Sequence, residues 1–173
     1  MEFISTIQMT DMPERRYRIM IFVTLGSQKF QFDRLLEAVD KLKTNEEIFA
    51  QIGYSGYKPK NYKYKNFLDK EEFDKAIDEA SVIITHGGTG AIISAIKKGK
   101  RVIAVPRLAK YKEHVDDHQL QLVKQFKDLD LICECLNVEK LNEALDEVKN
   151  KKYKKYKSNT KRIIDSIRAC IES

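Results

Sequence analysis

Short apolar runs alternate with longer amphipathic stretches along most of this chain. Runs of four or five apolar and β-branched residues are typical of buried strands. Apolar residues that recur every three or four positions are typical of helices with one buried face. Strands are predicted at residues 20–24, 48–52, 65–68, 82–85, 102–105 and 131–135, and the helical spacing covers residues 31–43, 70–80, 91–98, 120–127 and 138–148.

This order of elements predicts one α/β domain with a parallel sheet that helices cover on both faces. We expect six strands in the order 3-2-1-4-5-6, joined by right-handed crossovers, which is a Rossmann-like arrangement. Ligands of such open sheets bind at the carboxyl ends of the strands, where the strand order reverses. That point lies between strands 1 and 4, so the loop with Gly26 and Ser27 should face residues 86–90 across one crevice.

The loop after the fourth predicted strand reads His-Gly-Gly-Thr-Gly over residues 86–90. Its glycines let the backbone turn sharply and approach a ligand without a Cβ in the way. A helix follows, and a helix N-terminus presents free N–H groups and a positive dipole end, which suit a phosphate. A tight turn without a ligand is the alternative here and at Gly26, because short glycine motifs often match by chance. The chain has no G-x-G-x-x-G motif at these turns, which counts against a nicotinamide or flavin dinucleotide.

A dense polar cluster follows the fifth predicted strand. This strand ends in Pro106 and Arg107, and residues 113–119 read Glu-His-Val-Asp-Asp-His-Gln. Two neighbouring strand ends, one rich in glycine and one carrying arginine and histidine, indicate a ligand crevice. As an alternative, His114 and His118 are four residues apart and could bind a metal ion from one helix face.

Together these motifs resemble the C-terminal domain of family 28 glycosyltransferases. The resemblance rests on residues 86–90, 99–100, 104–107 and 113–119, and it covers roughly residues 20–150. Within this family the chain is similar to MurG-like donor domains and to the catalytic subunit of the two-component N-glycan N-acetylglucosaminyltransferase. It is most similar to the PssE-type subunits of bacterial exopolysaccharide and capsule synthesis.

The resemblance implies the fold of the C-terminal, donor-binding half of a GT-B glycosyltransferase. It implies an enzyme that moves a hexose, galactose or N-acetylglucosamine, from a UDP-sugar to a lipid-linked saccharide acceptor. It also implies a membrane-anchored partner subunit that supplies the acceptor half, and a reaction without a metal or other cofactor. The rival interpretation is a non-catalytic nucleotide-sugar-binding or assembly subunit of such a complex. We expect the chain in the cytoplasm, peripheral at the inner face of the membrane through its partner.

Residues at the two strand ends can be given roles in this chemistry. Glu113, His114 and Asp116 are the candidates for the general base. Arg107 or His114 is expected to offset the charge of the leaving diphosphate. The candidates for donor binding are Gly26, Ser27, His86, Gly87, Gly88, Thr89, Gly90, Ser94, Arg107, Asp117, His118 and Gln119.

Two of these assignments, the contacts with the donor sugar and with the ribose, are implied by the resemblance to the family. The residues that match Asp117, His118 and Gln119 lie near the donor sugar there, where polar groups can distinguish hydroxyl orientations. Many relatives carry a glutamate for the ribose hydroxyls where this chain has Ser94. A serine hydroxyl can bond ribose, but without the charge-assisted strength of a carboxylate.

The composition is that of an ordinary soluble globular protein. Its 173 residues suit one domain, and 42% are hydrophobic and 34% charged. No apolar run reaches about 18 residues, so no membrane-spanning helix is expected, and the N-terminus lacks the pattern of a secretory signal. Cys133, Cys135 and Cys170 are an odd number without zinc-type spacing, which suits a reducing compartment.

Two segments beside the predicted elements are basic. Residues 53–65 interleave four tyrosines with four lysines. We interpret them as a surface loop whose tyrosines cover a neighbour, rather than as a partner-facing loop or a nucleic-acid site. Residues 149–162 hold eight basic and no acidic residues. They are expected to begin a C-terminal helix over residues 149–173 that is solvated or that faces an anionic membrane surface or an acidic partner.

The sequence also predicts how the two ends of the chain behave. Residues 163–171 carry an apolar stripe at helical spacing, which must pack on this domain or on another chain. Residues 1–18 resemble no known module, and we interpret them as a flexible leader before the donor-binding domain at residues 19–173.

Overall fold

The computed structural model describes residues 20–158, so the leader at residues 1–18 and the apolar stripe at residues 163–171 lie outside it. Six parallel strands form one sheet in the order β3-β2-β1-β4-β5-β6, which confirms the predicted topology. The strands are β1 (Met20–Thr24), β2 (Glu47–Gln51), β3 (Lys63–Lys65), β4 (Ala80–His86), β5 (Arg101–Val105) and β6 (Cys133–Glu134). The helices are α1 (Asp33–Val39), α2 (Lys70–Glu79), α3 (Thr89–Lys97), α4 (His118–Asp128) and α5 (Leu141–Asn150), with short 3₁₀ helices at Ala109–Tyr111 and Val138–Lys140. In this part of the chain, no helix combines the length and the apolar character needed to cross a bilayer.

The strands carry apolar side chains on both faces because helices cover both faces. On one face, Ile21 and Val23 of β1 pack with the buried stripes of α1 and α5. On the other face, Phe22 packs with buried residues of α2, α3 and α4. The central strands β1 and β4 are buried along almost their whole length. They therefore support the loops at their carboxyl ends firmly.

The third strand lies at the edge of the sheet and differs from its prediction. The sequence analysis predicted it at residues 65–68, whereas it is Lys63–Lys65 and pairs with β2. An edge strand exposes part of its surface to water, so its two lysines alternate with the half-buried Tyr64 instead of forming an apolar run. Leu68 follows the strand, and its backbone N–H donates to Gln51 Oε1 (3.1 Å) just before α2 begins.

The basic tract after α5 is not helical where the structure describes it. Helix α5 ends at Asn150, and residues 151–158 have no regular secondary structure, so the predicted helix over residues 149–173 is wrong for this part. The Lys154 N–H donates to the Asp130 carbonyl (2.9 Å), and Lys151 forms an ion pair with the Asp130 carboxylate (3.0 Å). These contacts tie the tract to the connection between α4 and β6.

The tyrosine-rich loop between β2 and β3 covers α1 and the turn that follows it. The Tyr57 hydroxyl donates to the Asp40 carboxylate (2.6 Å), and the Tyr62 hydroxyl donates to the Leu36 carbonyl (3.1 Å). Asp40 also accepts the backbone N–H groups of Lys60 and Asn61 (3.0 and 2.9 Å). These bonds confirm the interpretation of a surface loop whose tyrosines cover a neighbouring element.

Candidate functional site

A crevice opens at the carboxyl ends of β1 and β4, where the strand order reverses. Its volume is about 650 Å³. Gly26 and Ser27 after β1 line one side, and the loop after β4 with the start of α3 lines another. His114 and His118, which follow β5, line a third side. The structure therefore brings together the two glycine loops and part of the polar cluster, as the strand order predicts.

A second groove, of about 740 Å³, lies between α2 and the strands β2 and β3. Its rim charges neutralise one another in ion pairs, such as Lys63 with Glu47 and Lys65 with Glu72. It lies along one face of the sheet, and most of its lining residues belong to α2, β2 and β3 rather than to the loops at the strand ends. We therefore place the candidate site in the crevice.

The N-terminus of α3 opens onto the crevice without a side-chain cap. Gly88 is the N-cap and has no side chain to offer. The Ile92 N–H donates to the Gly88 carbonyl (3.3 Å), so the N–H groups of Thr89, Gly90 and Ala91 have no partner inside the helix. All three residues line the crevice. Their N–H groups and the positive end of the helix dipole suit an anionic group such as a diphosphate.

The imidazole of His86 packs between the loop that carries Gly26 and the loop that carries Gly88. A Cβ at Gly26 would lie 2.7 Å from His86 Cε1, and a Cβ at Gly88 would overlap the ring at Nε2. Gly26 also has a φ of 73°, a conformation that favours glycine. The packing of this ring therefore requires glycine at both positions, whether or not a ligand is bound.

His86 is buried, and this decides its charge. Burial lowers the pKa of His86 to about 4, and the nearby positive charge of Arg107 lowers it too. The ring is therefore neutral at physiological pH. Its Nδ1 atom lies 3.3 Å from the Thr85 hydroxyl oxygen. His86 contributes a neutral polar ring to the crevice and no positive charge.

Gln119 joins the glycine loop to the end of β5. Its Oε1 atom accepts the backbone N–H of Gly87 (3.1 Å) and the backbone N–H of Arg107 (3.0 Å). A Cβ at Gly87 would lie 2.8 Å from the Gln119 Cβ, so the loop and the start of α4 pack in direct contact. The buried amide of Gln119 thus holds two strand ends at a fixed separation, and it also lines the crevice.

Arg107 lies behind the crevice and not on its wall. The residue is 1% exposed, its Nη2 atom donates to the Leu25 carbonyl (2.7 Å), and its guanidinium lies 5.4 Å from the ring centroid of Phe32. Burial lowers the pKa of Arg107 to about 10, which leaves it charged at neutral pH. Its Nε and Nη1 atoms have no hydrogen-bond partner among the described residues. This position does not fit the predicted cation at the diphosphate, and Arg107 instead anchors the loop that leads to Gly26.

Glu113 is also buried outside the crevice. Its two oxygens accept Nε and Nη2 of Arg34 at 2.9 Å each, and one of them accepts the Leu108 N–H at 3.0 Å. A carboxylate held by three donors is poorly placed to take a proton from a substrate. The predicted role as general base does not fit this geometry, and Glu113 instead fastens the loop after β5 to α1.

The rest of the polar cluster converges on Asp116. His114 Nδ1 lies 3.3 Å from Asp116 Oδ1, and His118 Nδ1 is bonded to the same oxygen. The bond from the His118 side chain and a second bond from the His118 backbone lower the pKa of Asp116. Asp117 instead accepts a backbone N–H of the preceding 3₁₀ helix (2.7 Å). The imidazoles of His114 and His118 line the crevice, whereas the side chains of Asp116 and Asp117 do not.

The sequence matches one protein family along nearly its whole length. The family model of the glycosyltransferase family 28 C-terminal domain matches residues 20–172. The chain belongs to this family. The resemblance that the motifs predicted is confirmed, and so is the α/β fold with its six-stranded parallel sheet.

This family 28 domain has relatives of known name and structure. It is 30% identical over 118 residues to the UDP-N-acetylglucosamine transferase subunit ALG13 of Homo sapiens, which covers 61% of this chain and 10% of the relative. The chain thus spans about a tenth of the length of the curated relatives it matches. Its fold resembles the crystal structure of CalG4, the calicheamicin glycosyltransferase, with a TM-score of 0.60 and 19% identity over 81% of this chain and 36% of that one. It also resembles an NMR solution structure of ALG13, with a TM-score of 0.56 and 16% identity over 82% of this chain and 90% of that one.

The crevice of this family 28 domain includes residues that sequence reasoning missed. Lys70, the first residue of α2, is the one lysine or arginine among the described lining residues. Gln51, at the end of β2, donates from Nε2 to the Gly26 carbonyl (3.3 Å) and so supports the first glycine loop. Gln51 lies next to β1 at the carboxyl edge of the sheet, where the predicted strand order would have placed it, whereas Lys70 reaches the crevice through the packing of α2. Ser94 lines the crevice from the exposed side of α3, and its contact with a ribose stays a prediction.

Proposed function

We propose that this family 28 domain is the donor-binding catalytic subunit of a UDP-sugar-dependent hexosyltransferase. The observation that carries the proposal is the uncapped N-terminus of α3, which opens onto the crevice at the reversal of strand order. Transfer of the sugar leaves a UDP diphosphate, whose added charge must be stabilised. The N–H groups of Thr89, Gly90 and Ala91 and the helix dipole suit that charge. Lys70 adds a positive side chain on the same crevice.

The reaction exchanges one bond at the anomeric carbon for another. An acceptor hydroxyl oxygen bonds to that carbon while the bond to the diphosphate oxygen breaks, and the hydroxyl proton goes to a base. Of the three candidates for the base, Glu113 is held by Arg34 in a buried ion pair. His114, which lines the crevice, and Asp116 beside it therefore remain. In this proposal the protein groups alone stabilise the leaving diphosphate, without a metal ion.

The donor and acceptor are proposed from the relatives and the motifs. The curated relatives are named as UDP-N-acetylglucosamine transferase subunits, which supports a UDP-sugar donor carrying N-acetylglucosamine or a similar hexose such as galactose. The likeness to PssE-type subunits supports a lipid-linked saccharide acceptor in exopolysaccharide or capsule synthesis. Gln119, His114 and His118 line the crevice, where their polar atoms can distinguish the hydroxyls of the sugar.

A partner that supplies the acceptor half is part of the proposal. The chain corresponds to 36% of the CalG4 chain, and it contains the donor-type domain. Exposed apolar side chains lie on the segments that follow the carboxyl ends of β2, β3 and β5, namely Tyr54, Phe67, Tyr111 and Val115. They suit a protein partner that covers the crevice. We propose that this partner is membrane-anchored and holds the chain at the inner face of the membrane, where the exposed lysines of residues 152–157 can meet anionic lipid.

A non-catalytic nucleotide-sugar-binding or assembly subunit is the second candidate. The observation in its favour is Ser94, which stands where many relatives carry a glutamate for the ribose. A hydroxyl forms weaker hydrogen bonds than a carboxylate, and weaker donor binding suits a subunit without turnover.

Isothermal titration calorimetry with UDP, UDP-N-acetylglucosamine and UDP-galactose tests the donor site on the chain alone and with its partner. A transfer assay with a labelled UDP-sugar and a membrane fraction carrying the partner and lipid-linked acceptor then separates the two candidates. Nucleotide binding together with transfer supports the enzyme, and nucleotide binding without transfer supports the second candidate. If neither UDP nor a UDP-sugar binds, even with the partner present, the donor site is wrong.

A further inference from the structure

Gln51 is a buried polar residue of the crevice with no part in the proposed reaction. It is the last residue of β2, a strand that lies between β1 and β3 in the sheet, and it is 5% exposed. It also belongs to the residues that line the crevice. A buried amide needs hydrogen-bond partners, because burying it unpaired costs free energy. The partners of the Gln51 side chain therefore indicate its role.

The amide of Gln51 joins two segments from different parts of the chain. Its Nε2 atom donates to the carbonyl of Gly26, 25 residues earlier, at 3.3 Å. Its Oε1 atom accepts the backbone N–H of Leu68, 17 residues later, at 3.1 Å. Gly26 lies in the loop after β1, and Leu68 directly precedes Asp69, the N-cap of α2, whose first residue is Lys70. One side chain thus connects the first glycine loop to the segment that carries Lys70.

These two partners require an amide at position 51. The Gly26 carbonyl can only accept and the Leu68 N–H can only donate, so the side chain must present one donor and one acceptor. A carboxylate offers acceptors only, and one of its oxygens would face the Gly26 carbonyl. A hydrocarbon side chain of similar length would leave both backbone groups without this partner. Glutamine satisfies both.

Backbone hydrogen bonds hold the two ends of this link close to β2. The Gln51 carbonyl accepts the N–H of Leu25 (3.1 Å), directly before Gly26, and the Gly53 N–H donates to the Asn66 carbonyl (2.8 Å). The Asn66 side chain returns a bond from Nδ2 to the Gly53 carbonyl (3.2 Å). The connection from β3 to α2 is therefore fastened to the end of β2, and the Gln51 side chain extends this set of bonds to the loop after β1.

We propose that Gln51 is a positioning residue for the donor nucleotide, because it fixes the separation of two parts of the crevice. Gly26 and Ser27, at one end of the link, line the crevice, and so does Lys70 at the other end. A ligand that contacts both ends needs them at a fixed separation, and a small displacement of either one weakens its binding. This inference rests on the proposed function, since the ligand is the UDP part of the donor. Gln51 acts through these two segments and not through a contact with the donor.

The first test removes both bonds with Gln51→Met, which keeps the length and nearly the volume of the side chain. We expect the calorimetric affinity for UDP to fall roughly 5- to 30-fold. Hydrogen exchange by NMR, measured before any nucleotide is added, should become faster at the Leu68 amide. Gln51→Glu keeps an acceptor for this amide, so it should retain more of the protection at Leu68 and still weaken UDP binding.

Val148→Ala is the matched control for a general loss of stability. Val148 is a fully buried core residue of α5 and does not line the crevice. Its truncation should lower the free energy of unfolding and leave the affinity for UDP unaltered. Urea denaturation and circular dichroism of all variants check that each one is folded and compare the losses in stability.

A double-mutant cycle separates positioning from a direct contact. Lys70→Met should weaken UDP binding less in the Gln51→Met background than in the unaltered chain, because Lys70 is then no longer held in place. Gly90→Ala should weaken binding by the same factor in both backgrounds, since Gly90 lies in α3, which the Gln51 side chain does not bond. Equal effects of Lys70→Met in the two backgrounds, or unchanged exchange at Leu68 in Gln51→Met, would each overturn the proposal.

The affinity of the unaltered chain separates this inference from the proposed function. If the unaltered chain binds UDP and Gln51→Met binds it equally well, the positioning role is wrong and the donor site stands. If the unaltered chain binds no UDP, even with its partner present, the proposed function fails and this inference fails with it.

Discussion

The imidazole of His86 fills the space beside Gly88, where a Cβ would overlap its Nε2 atom. The same ring stands 2.7 Å from the place of a Cβ at Gly26. One side chain from the end of β4 therefore separates the two glycine loops of the crevice. A contact inside the protein therefore sets the shape of this part of the crevice. A substitution at Gly26 or Gly88 disturbs this packing as well as any contact with a ligand.

Gly88→Ala should destabilise the fold, because the new methyl group displaces the His86 ring. We expect a loss of about 1–3 kcal/mol in the free energy of unfolding, measured by urea denaturation. The variant Gly88→Ala/His86→Ala should lose less than the sum of the two single changes, because the overlap is gone. Additive losses would show that the ring does not constrain position 88.

Gly90→Ala should separate ligand binding from folding. A Cβ at position 90 meets no protein atom within 4 Å, and the residue is exposed in the first turn of α3. We expect UDP binding to weaken roughly 10- to 100-fold, because a methyl group there obstructs a diphosphate that bonds the helix N-terminus. The free energy of unfolding should stay the same or rise by about 0.4–1 kcal/mol.

Gly56→Ala is the control for this change. Gly56 is exposed, lies in the loop after β2, and has space for a Cβ at ordinary contact distance. It should leave UDP binding unaltered. If Gly90→Ala binds UDP as well as Gly56→Ala does, the loop after β4 is a structural turn and no more.

The free energy of unfolding should fall at acid pH, because the buried His86 must then take up a proton. Burial lowers the pKa of His86 from its ordinary value of 6.5 to about 4, with Arg107 and His114 as the nearby basic groups. The unfolded chain therefore binds more protons between pH 6.5 and 4, and stability rises with pH across this window. The contribution is complete above pH 6.5 and is lost as the pH falls toward 4, by on the order of 3 kcal/mol.

Urea denaturation of the unaltered chain and of His86→Asn at several pH values checks this prediction. The difference between their free energies of unfolding should change between pH 6.5 and 4 and stay constant above pH 7. A constant difference throughout would mean that His86 titrates normally in the folded chain.

Lys70→Met should weaken UDP binding by roughly two- to fivefold, because an exposed positive charge near an anion contributes about 1 kcal/mol or less. The dependence of binding on salt should weaken as well, since this charge is screened. Lys75→Met changes a lysine of the same helix that pairs with Glu79 outside the crevice, and it should bind UDP as the unaltered chain does. Equal effects of the two changes on calorimetric affinity would exclude a specific role for Lys70.

Gln119→Ala should loosen the glycine loop, because it leaves the N–H groups of Gly87 and Arg107 without their acceptor. We expect a loss of roughly 2–4 kcal/mol in stability, since each unpaired buried donor costs about 1–3 kcal/mol. Hydrogen exchange by NMR should become faster at these two amides than at other amides of β4 and β5. Gln119→Glu keeps an acceptor oxygen and should retain more of their protection. Unchanged exchange at both amides would contradict the bridging role.

The sequence by itself determined the topology and the place of the crevice. Apolar runs at β1, β4 and β5 reflect burial on both faces of a parallel sheet, and alternation with helices leaves few strand orders open. The loops that carry Gly26 and residues 86–90 follow two of those strands, so the strand order alone placed these two loops on one crevice. The edge strand β3 was misplaced because it carries exposed lysines, and its register depends on pairing with β2.

Only the tertiary structure decided which polar side chains reach the crevice. Glu113 and Arg107 look like site residues in the sequence, yet their partners are Arg34, 79 residues away, and the Leu25 carbonyl, 82 residues away. Contacts over such distances leave no periodic pattern in the chain. The direction of a side chain beyond a strand end also depends on the conformation of its loop. For the same reason the crevice position of Lys70 became evident only once α2 was packed beside β1.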